Sequence, residues 1–470
     1  MSGGIKHSTP AHIWRDELIG TAKLAGPLAL TQLGQIAMMT IDLVLIGRLG
    51  NSAVAAAALA HGIFFAAFTF GLGLVTAVAP LAAQAYGARK PRLVRRALRV
   101  GLWTAVFVGI PLSLLQLRAG DLLIWLHQPP DVAMLAQRYL MGLTWSLTPA
   151  WLFIALRGFM SAINRPEPAL WITLAAIPLN GVLAYLLIFG SFGLPRLDLL
   201  GAGIATTLVD IAMLMAGIWI CYAAAPFKKY QILGHFWRSD WPLLRQMTAI
   251  GLPISATFLL EHSVFATAGL LMGLIGTVAL AAHQVAIHTA VTVFMVPLGI
   301  GMAATVRVGH AVGRHDAGAA RRAGFAAMAL GVTFQAAMAI CVVLGRMQIP
   351  FLFFGSAGDP ATAVLTSTLL VVGASFFIAD GLQVIAAGAL RGFNDTLVPL
   401  LFAAASFWLV GFPCAYLLAF RVGFSAVGVW LGLVLGLACY AALLVARFSR
   451  LTHRQYLPPA SRTAIAAAHP

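Results

Sequence analysis

The sequence predicts an all-α membrane protein whose twelve transmembrane helices form two pseudo-symmetric six-helix lobes. Three observations lead to this prediction: the composition, the order of apolar segments and an internal repeat. Of the 470 residues, 61% are hydrophobic and only 9% are charged, and the mean hydropathy is +0.92. Soluble domains carry about 25% charged residues. A chain with so few charges cannot cover a water-facing surface, so most of its surface must face lipid.

Long apolar segments, separated by charged or Gly/Pro-containing loops, define the predicted spans. They cover residues 20–47, 52–84, 93–117, 133–160, 168–190, 197–223, 243–273, 278–311, 320–346, 361–390, 397–419 and 424–448. These segments are too long and too continuously apolar for the alternating pattern of a membrane β-barrel, so we exclude a barrel.

The 30 Lys and Arg residues are divided unequally between the two sides of these spans. The side of the two termini carries 24 of them, and the opposite side carries six: Arg48, Arg118, Arg138, Arg196, Arg346 and Arg421. The positive-inside rule therefore predicts that both termini lie in the cytoplasm, and we expect a multi-pass protein of the bacterial inner membrane. The net charge of +16 is then a feature of membrane topology. We expect the lipid bilayer as a partner, and no nucleic acid.

The chain matches itself at an offset of 226 residues, without gaps, from Pro27 to Ala97. Matching pairs include Pro27 with Pro253, Gly50 with Gly276, Gly73 with Gly299 and Arg95 with Arg321. A second match joins residues 155–159 to 389–393. The repeat predicts lobes at 1–223 and 243–450, a cytoplasmic linker at 224–242 and a disordered cytoplasmic tail at 451–470. Because six is an even number of crossings, the lobes are related by an axis along the membrane normal, as in many transporters.

Four acids lie deep in the predicted spans: Asp42, Asp210, Glu261 and Asp380. An ionised side chain there costs about 2.5 to 3.5 kcal/mol on insertion scales, so each acid is a functional candidate. No Lys or Arg lies near the same depth of the spans that hold Asp42, Glu261 and Asp380. Such a carboxylate either favours its protonated form or binds a hard cation such as sodium together with other oxygen atoms. The alternative is a hydrogen-bonded structural acid, which we favour for Asp210.

Motifs of soluble catalysis are missing from the sequence. It has no HExxH metalloenzyme motif, no GxxxxGK[ST] phosphate-binding loop and no CxxC pair. The four cysteines are best interpreted as small core residues. We therefore expect no enzymatic activity and no bound cofactor. His283 lies in the eighth span, towards the Glu261 region, where a buried, hydrogen-bonded histidine is the commoner case.

Several motifs together resemble the multidrug and toxic compound extrusion (MATE) family, in its NorM-like branch. They are MMTIDLVLIGRLG around Asp42, Glu261 in the seventh span, AAHQVA at 281–286, RVGHAVG at 307–313 and ADGLQVIAAGALRGFNDT at 379–396. The resemblance extends from about residue 15 to 450. It implies a secondary active multidrug efflux transporter that exports small organic cations or amphipathic drugs by antiport with Na⁺ or H⁺.

The resemblance also implies roles for individual residues. Glu261 and Asp380 match the acids of the family's cation site, where they would bind the metal ion, and Asp42 matches a first-helix acid for cation coupling. We expect the substrate cavity to include Asp42, Asn180, His283 and Gln284. Pro27 matches the first-helix proline to which a conformational role is given, and we expect it to bend or break that helix. Asp210 departs from the family pattern.

Two other functions stay open at this point. One is a lipid-linked precursor or polysaccharide flippase of the same superfamily, which usually has extra helices and arginines inside its cavity. No span of this chain carries a central Arg or Lys, which favours cationic cargo. The other is a membrane-embedded enzyme, for which no convergent catalytic set is found. We expect a monomer.

Overall fold

A computed structural model of the chain describes residues 10–191, 193, 195–232, 234, 237, 240–355 and 359–453. The predicted disordered tail, 451–470, lies outside the described residues from position 454 onward. Four of the basic residues that support the predicted topology also lie outside them: Lys6, Arg238, Arg454 and Arg462.

The described chain is helical and contains no β-strand. The first half contains α1 (Pro10–Gly47), α2 (Asn51–Thr76), α3 (Val78–Gly87), α4 (Pro91–Gln116), α5 (Ala119–Trp125), α6 (Pro130–Leu143), α7 (Leu147–Ala162), α8 (Glu167–Phe189) and α9 (Asp198–Ala223). The second half contains α10 (Trp241–Ile275), α11 (Thr277–Gly313), α12 (Ala317–Leu344), α13 (Gln348–Phe354), α14 (Pro360–Gly392), α15 (Leu397–Ala404), α16 (Phe412–Tyr416) and α17 (Ser425–His453). Short 3₁₀ helices occupy Thr144–Ser146 and Phe227–Tyr230, and π-helical turns occupy Ala405–Gly411 and Leu417–Arg421.

Twelve helical segments of the described chain are long and apolar enough to cross a membrane, which confirms the predicted number of spans. They are 12–47, 51–87, 91–116, 130–162, 167–189, 198–223, 241–275, 277–313, 317–344, 360–392, 397–421 and 425–453. The first helix begins well before its predicted start at residue 20. The charged residues Arg15, Asp16 and Glu17 lower the hydropathy of this first part but do not prevent helix formation.

The internal repeat is visible in the backbone. Gly50 and Gly276, which the repeat pairs, precede α2 and α11 with φ angles of 107° and 150°. These conformations are open to glycine because it has no Cβ. Arg89 and His315, also paired by the offset of 226, both have positive φ, at 56° and 59°. Both halves therefore use the same turns at the same places.

Contacts divide the chain into two compact units, which we name the N-unit and the C-unit. The N-unit contains Leu30–Leu259, and the C-unit contains the described residues up to Ala29 together with those from Leu260 onward. The division therefore falls inside α1 and inside α10. The lobe limits predicted from the sequence, 1–223 and 243–450, stay a prediction.

Two glycines explain how α1 and α10 are held in these units. In the N-unit, a Cβ on Gly73 of α2 would overlap the backbone of Ser255 on α10. In the C-unit, a Cβ on Gly299 of α11 would overlap the backbone of Ala29 on α1. Gly73 and Gly299 are paired by the repeat, and so are Ala29 and Ser255. The same glycine contact thus attaches a half-helix in each unit.

Pro27 does not break the first helix. Helix α1 continues through it as one α-helix of 38 residues, so the expected break is absent. Proline removes one backbone donor and costs about 3 kcal/mol in a helix interior. The neighbouring contact between Ala29 and Gly299 helps to compensate this cost by packing the helix just after the proline.

The described part of the predicted linker, residues 224–242, packs against the helices of the N-unit. Phe227 and Tyr230 are buried, with ring centroids 6.2 Å and 5.4 Å from that of Phe159. At the end of this segment, Asp240 accepts a hydrogen bond from Arg96 Nε at 2.6 Å. This ion pair attaches the start of α10 to α4.

Candidate functional site

The C-unit brings together the two acids predicted to bind the cation, Glu261 on α10 and Asp380 on α14. The amide of Gln383 bridges them. Its Nε2 donates to Glu261 Oε1 at 2.7 Å and to Asp380 Oδ1 at 3.3 Å. Asp380 and Gln383 are buried, and their i, i+3 spacing places them on one face of α14. The predicted pair is therefore joined in space by a neutral donor.

Ion pairs do not neutralise these carboxylates in the described part of the chain. None of the five salt bridges found there includes Glu261 or Asp380. Arg391, near the end of α14, interacts electrostatically with Glu261. The two residues are far apart in the sequence, so spacing along the chain does not predict this interaction. Two carboxylates bridged by an amide have oxygen atoms that suit a proton or a hard cation.

A small cavity lies beside Glu261. Its volume of about 10 Å³ is close to the space that one water molecule needs. The lining residues are Glu261, Val264, Phe265, Phe407, Gly411, Leu433, Gly436 and Leu437. Glu261 is the one polar residue among them. Phe407 and Gly411 come from the π-helical turn Ala405–Gly411, and such turns are frequent at functional sites.

His283 is held by an aromatic partner. Trp430 Nε1 donates to His283 Nδ1 at 3.2 Å, and His283 is 3% exposed. With Nδ1 as acceptor, the neutral ring carries its proton on Nε2. The adjacent residue, Gln284, is exposed, because consecutive helical residues point in different directions. The cavity roles predicted for His283 and Gln284 stay predictions.

The third predicted coupling acid, Asp42, belongs to a separate group in the N-unit. Asn180 Nδ2 donates to Asp42 Oδ1 at 2.7 Å, and Thr206 Oγ1 donates to Asp42 Oδ2 at 3.4 Å. Asn180 is 1% exposed. The structure therefore brings together Asp42 and Asn180, two of the residues predicted to line the cavity, and adds Thr206 from α9.

Gln383 and Thr206 belong to these groups but are not among the site residues predicted from the sequence. Gln383 was detectable, since it follows Asp380 by three residues in ADGLQ and must share its helix face. Thr206 gave no comparable pattern, because its role depends on α9 packing beside α1, which spacing along the chain does not predict.

The chain is similar to proteins of one transporter family. The family model described as MatE matches residues 27–186 and 253–417. A protein of Rhodopseudomonas palustris, "Probable multidrug resistance protein NorM", is 60% identical over 453 residues, covering 96% of each chain. A protein of the same name from Bradyrhizobium diazoefficiens is 57% identical, covering 95% of this chain and 96% of its own. The fold is that of the eukaryotic MATE transporter AtDTX14, with a TM-score of 0.84, 22% identity and coverage of 94% of this chain and 98% of that one.

Proposed function

Because the chain belongs to the MatE family, we propose that it is a secondary active multidrug efflux transporter, exporting cationic or amphipathic compounds in exchange for sodium ions or protons. Relatives that match almost its whole length are named multidrug resistance proteins. The proposal places the protein in the bacterial inner membrane, with both termini in the cytoplasm, as a monomer.

One observation carries the coupling mechanism: Glu261 and Asp380 meet inside membrane-spanning helices, bridged by the Gln383 amide. Binding a proton or Na⁺ there removes negative charge from a low-dielectric region. A conformation that exposes the site to water tolerates the empty, charged state, whereas a closed conformation favours the loaded state. An ion that prefers one conformation shifts the equilibrium between them, and this difference in affinity drives transport.

Cationic cargo is supported by the N-unit. Asp42 supplies a carboxylate within a span, and the same unit contains packed aromatic side chains. The half-buried Phe64 and Phe68 stack with centroids 5.9 Å apart, and the Phe68 ring centroid lies 6.4 Å from that of the fully buried Trp151. The buried Arg157 donates to Gln32 at 2.8 Å and lies near the end of its span. Arg157 therefore forms no ion pair with Asp42 in the described chain, and the negative charge of Asp42 can attract a positive ligand.

The test is transport of ethidium, a fluorescent lipophilic cation, into proteoliposomes under an imposed sodium or proton gradient. Wild-type protein should accumulate ethidium under at least one gradient. Glu261→Gln and Asp380→Asn should abolish this transport, because an amide keeps the size of the side chain but holds no proton or cation by charge. Glu167→Gln, at an exposed acid in the first turn of α8, is the matched control and should transport normally. Ethidium transport that is independent of both gradients, or that persists in both acid variants, would exclude the mechanism.

A further inference from the structure

Helix α10 runs without a break from Trp241 to Ile275, yet its two halves belong to different units. The division between the units falls between Leu259 and Leu260. A transporter that alternates between two conformations moves such units against each other. During that movement, either α10 bends where the units divide, or one of its halves separates from its unit.

Side-chain contacts bind the start of α10 to α4 in the N-unit. Asp240, just before the helix, lies 2.6 Å from Arg96 Nε and 3.7 Å from Arg99 Nη2. Further along, Thr104 Oγ1 of α4 donates to Met247 Sδ at 3.6 Å, and Met247 is fully buried. Because the side chains of Asp240 and Arg99 are each only 6% exposed, separating them would leave uncompensated buried charges, which is strongly destabilising.

Close backbone packing continues this attachment towards the middle of α10. A Cβ on Gly251 would overlap the backbone of Leu74 on α2. Ser255 Oγ donates to the carbonyl of Phe70, also on α2, at 2.6 Å. Together with the two α10 contacts to α4, these positions are separated by seven, four and four residues, which places them on one helix face. The first half of α10 is therefore fixed to the N-unit along its whole length.

The second half of α10 is bound to α14 in the C-unit. Glu261 accepts the hydrogen bond from Gln383 at 2.7 Å. One turn later, the ring of Phe265 meets that of Phe376 edge-on, with centroids 5.9 Å apart. Met272, near the end of the helix, is fully buried. Separating this half from the C-unit would therefore expose buried groups, as it would for the first half in the N-unit.

The helix backbone is weakened around the point where the units divide. Pro253 lacks the N–H that would bond the carbonyl of Ala249. Thr257 Oγ1 donates to the Pro253 carbonyl at 2.8 Å, and Ser263 Oγ donates to the Leu260 carbonyl at 2.7 Å. Hydroxyl groups that bond helix carbonyls in this way often bend helices, and proline is the commonest cause of a kink. A bend here keeps the buried contacts of both halves.

We propose that α10 bends between Ser255 and Glu261 during the transport cycle, while its first half stays fixed to the N-unit and its second half to the C-unit. This inference rests on the proposed transport function, which requires two conformations. The predicted linker, 224–242, then moves with the N-unit as one body and is not the hinge. The half-helix from Trp241 to Phe258 is about 26 Å long, so a bend of about 20° displaces its start by about 9 Å relative to the C-unit.

The first experiment measures distances between pairs of nitroxide spin labels by double electron–electron resonance. The protein, with its four native cysteines replaced by alanine, is held in lipid nanodiscs with and without sodium, at acidic and at alkaline pH. Labels are attached at exposed positions: Trp241→Cys and Leu274→Cys at the two ends of α10, Trp219→Cys in the N-unit and Leu397→Cys in the C-unit.

Two of the four label distances should stay constant when the conformation changes: Trp241 to Trp219, and Leu274 to Leu397. The other two, Trp241 to Leu397 and Leu274 to Trp219, should change by up to about 9 Å. A change in either of the first two distances overturns the inference, and so does the absence of any change in all four. This readout is independent of cargo transport.

The second experiment uses a short, reducible thiol crosslinker and compares ethidium transport by proteoliposomes before and after reduction. Joining Thr104→Cys to Met247→Cys fixes the first half of α10 to α4 and should leave transport unchanged. Joining Ala256→Cys to Leu260→Cys, one turn apart, stiffens the bending segment and should abolish transport until the crosslink is reduced. Loss of transport in the first case, or its persistence in the second, overturns the inference.

The matched control for the stiffened segment is the same crosslink between Trp241→Cys and Arg245→Cys, an exposed pair one turn apart in the first half of α10. This crosslink should not affect transport, because that half does not bend. If wild type carries no ethidium but the four label distances behave as expected, the proposed function fails and the bend in α10 stands.

Discussion

Replacing Gln383 with leucine tests whether the amide bridge tunes ion release. In the structure, Gln383 Nε2 donates to both Glu261 and Asp380. The amide thus stabilises the empty, negatively charged pair and competes with any incoming ion. Leucine keeps a similar volume but donates nothing. The empty site then becomes less stable, and the bound ion should leave more slowly.

The magnitude follows from the hydrogen-bond lengths. The bond to Glu261, at 2.7 Å, has the length of a strong charge-assisted bond, whereas that to Asp380, at 3.3 Å, is long. Hydrogen bonds to charged groups contribute about 1.5 to 3 kcal/mol. Counting only the short bond, Gln383→Leu should bind the coupling ion about ten- to hundredfold more tightly. Maximal turnover should fall at the same time.

The assay is ethidium transport by proteoliposomes over a range of pH without sodium, and over a range of sodium at fixed pH. Gln335→Leu is the matched control. Gln335 is also buried in the C-unit, at 1% exposure, but its amide donates to the Phe377 carbonyl at 3.0 Å. The reasoning is refuted if Gln383→Leu needs the same half-saturating ion concentration as wild type and Gln335→Leu.

Two further predictions concern stability and topology. Asp240→Asn removes the ion pair with Arg96, in which the Asp240 side chain is 6% exposed, so it should lower stability by on the order of 3 kcal/mol. Thermal unfolding in detergent should show a lower Tm for Asp240→Asn than for wild type. Asp198→Asn, whose ion pair with Arg196 is exposed, should hardly change the Tm. Equal Tm values for Asp240→Asn and wild type would contradict this prediction. Alkaline phosphatase fused after Pro470 should be inactive, because the enzyme folds only in the periplasm, and strong activity would show that the C-terminus is not cytoplasmic.

The number and order of the spans could be predicted because the bilayer limits the solutions: a lipid-exposed backbone must be helical and long enough to cross. The approximate ends of the helices followed from charged and glycine-containing loops. The interruptions inside spans did not follow. Pro149, which has no N–H to bond the carbonyl of Trp145, accounts for the 3₁₀ turn Thr144–Ser146, but Pro27 lies in an unbroken helix. A proline therefore marks a possible break, and tertiary packing decides whether the helix breaks.

The candidate sites were predictable only as far as burial cost identifies them. The sequence predicts Glu261, Asp380 and Asp42 as site residues because an ionised acid inside the bilayer costs free energy. That Glu261 meets Asp380, whereas Asp42 joins Asn180, depends on which helices are neighbours. Gln383 was overlooked because an amide carries no such cost alone. It becomes informative only when its hydrogen bonds to two carboxylates are seen.

The repeat makes a stronger prediction than similarity of shape, since it pairs contacts as well as residues. Gly73 approaches the backbone of Ser255, and Gly299 approaches that of Ala29; both members of each contact are related by the same offset of 226. If the two contacts perform the same task, attaching part of α10 to the N-unit and part of α1 to the C-unit, their loss should have the same effect.

Gly73→Ala and Gly299→Ala should each lower the stability by about 1 to 3 kcal/mol, because the added methyl group meets backbone that cannot rotate away. The controls are Gly26→Ala and Gly269→Ala, on α1 and α10, where an added Cβ meets nothing within 4 Å. These should be neutral or up to about 1 kcal/mol stabilising, since alanine is the better helix former. Thermal unfolding in detergent measures all four variants. Each glycine attaches a different half-helix to a different unit. If only one of the two substitutions lowers the stability, the repeat preserves the sequence of the other contact without preserving its role in attaching the half-helix.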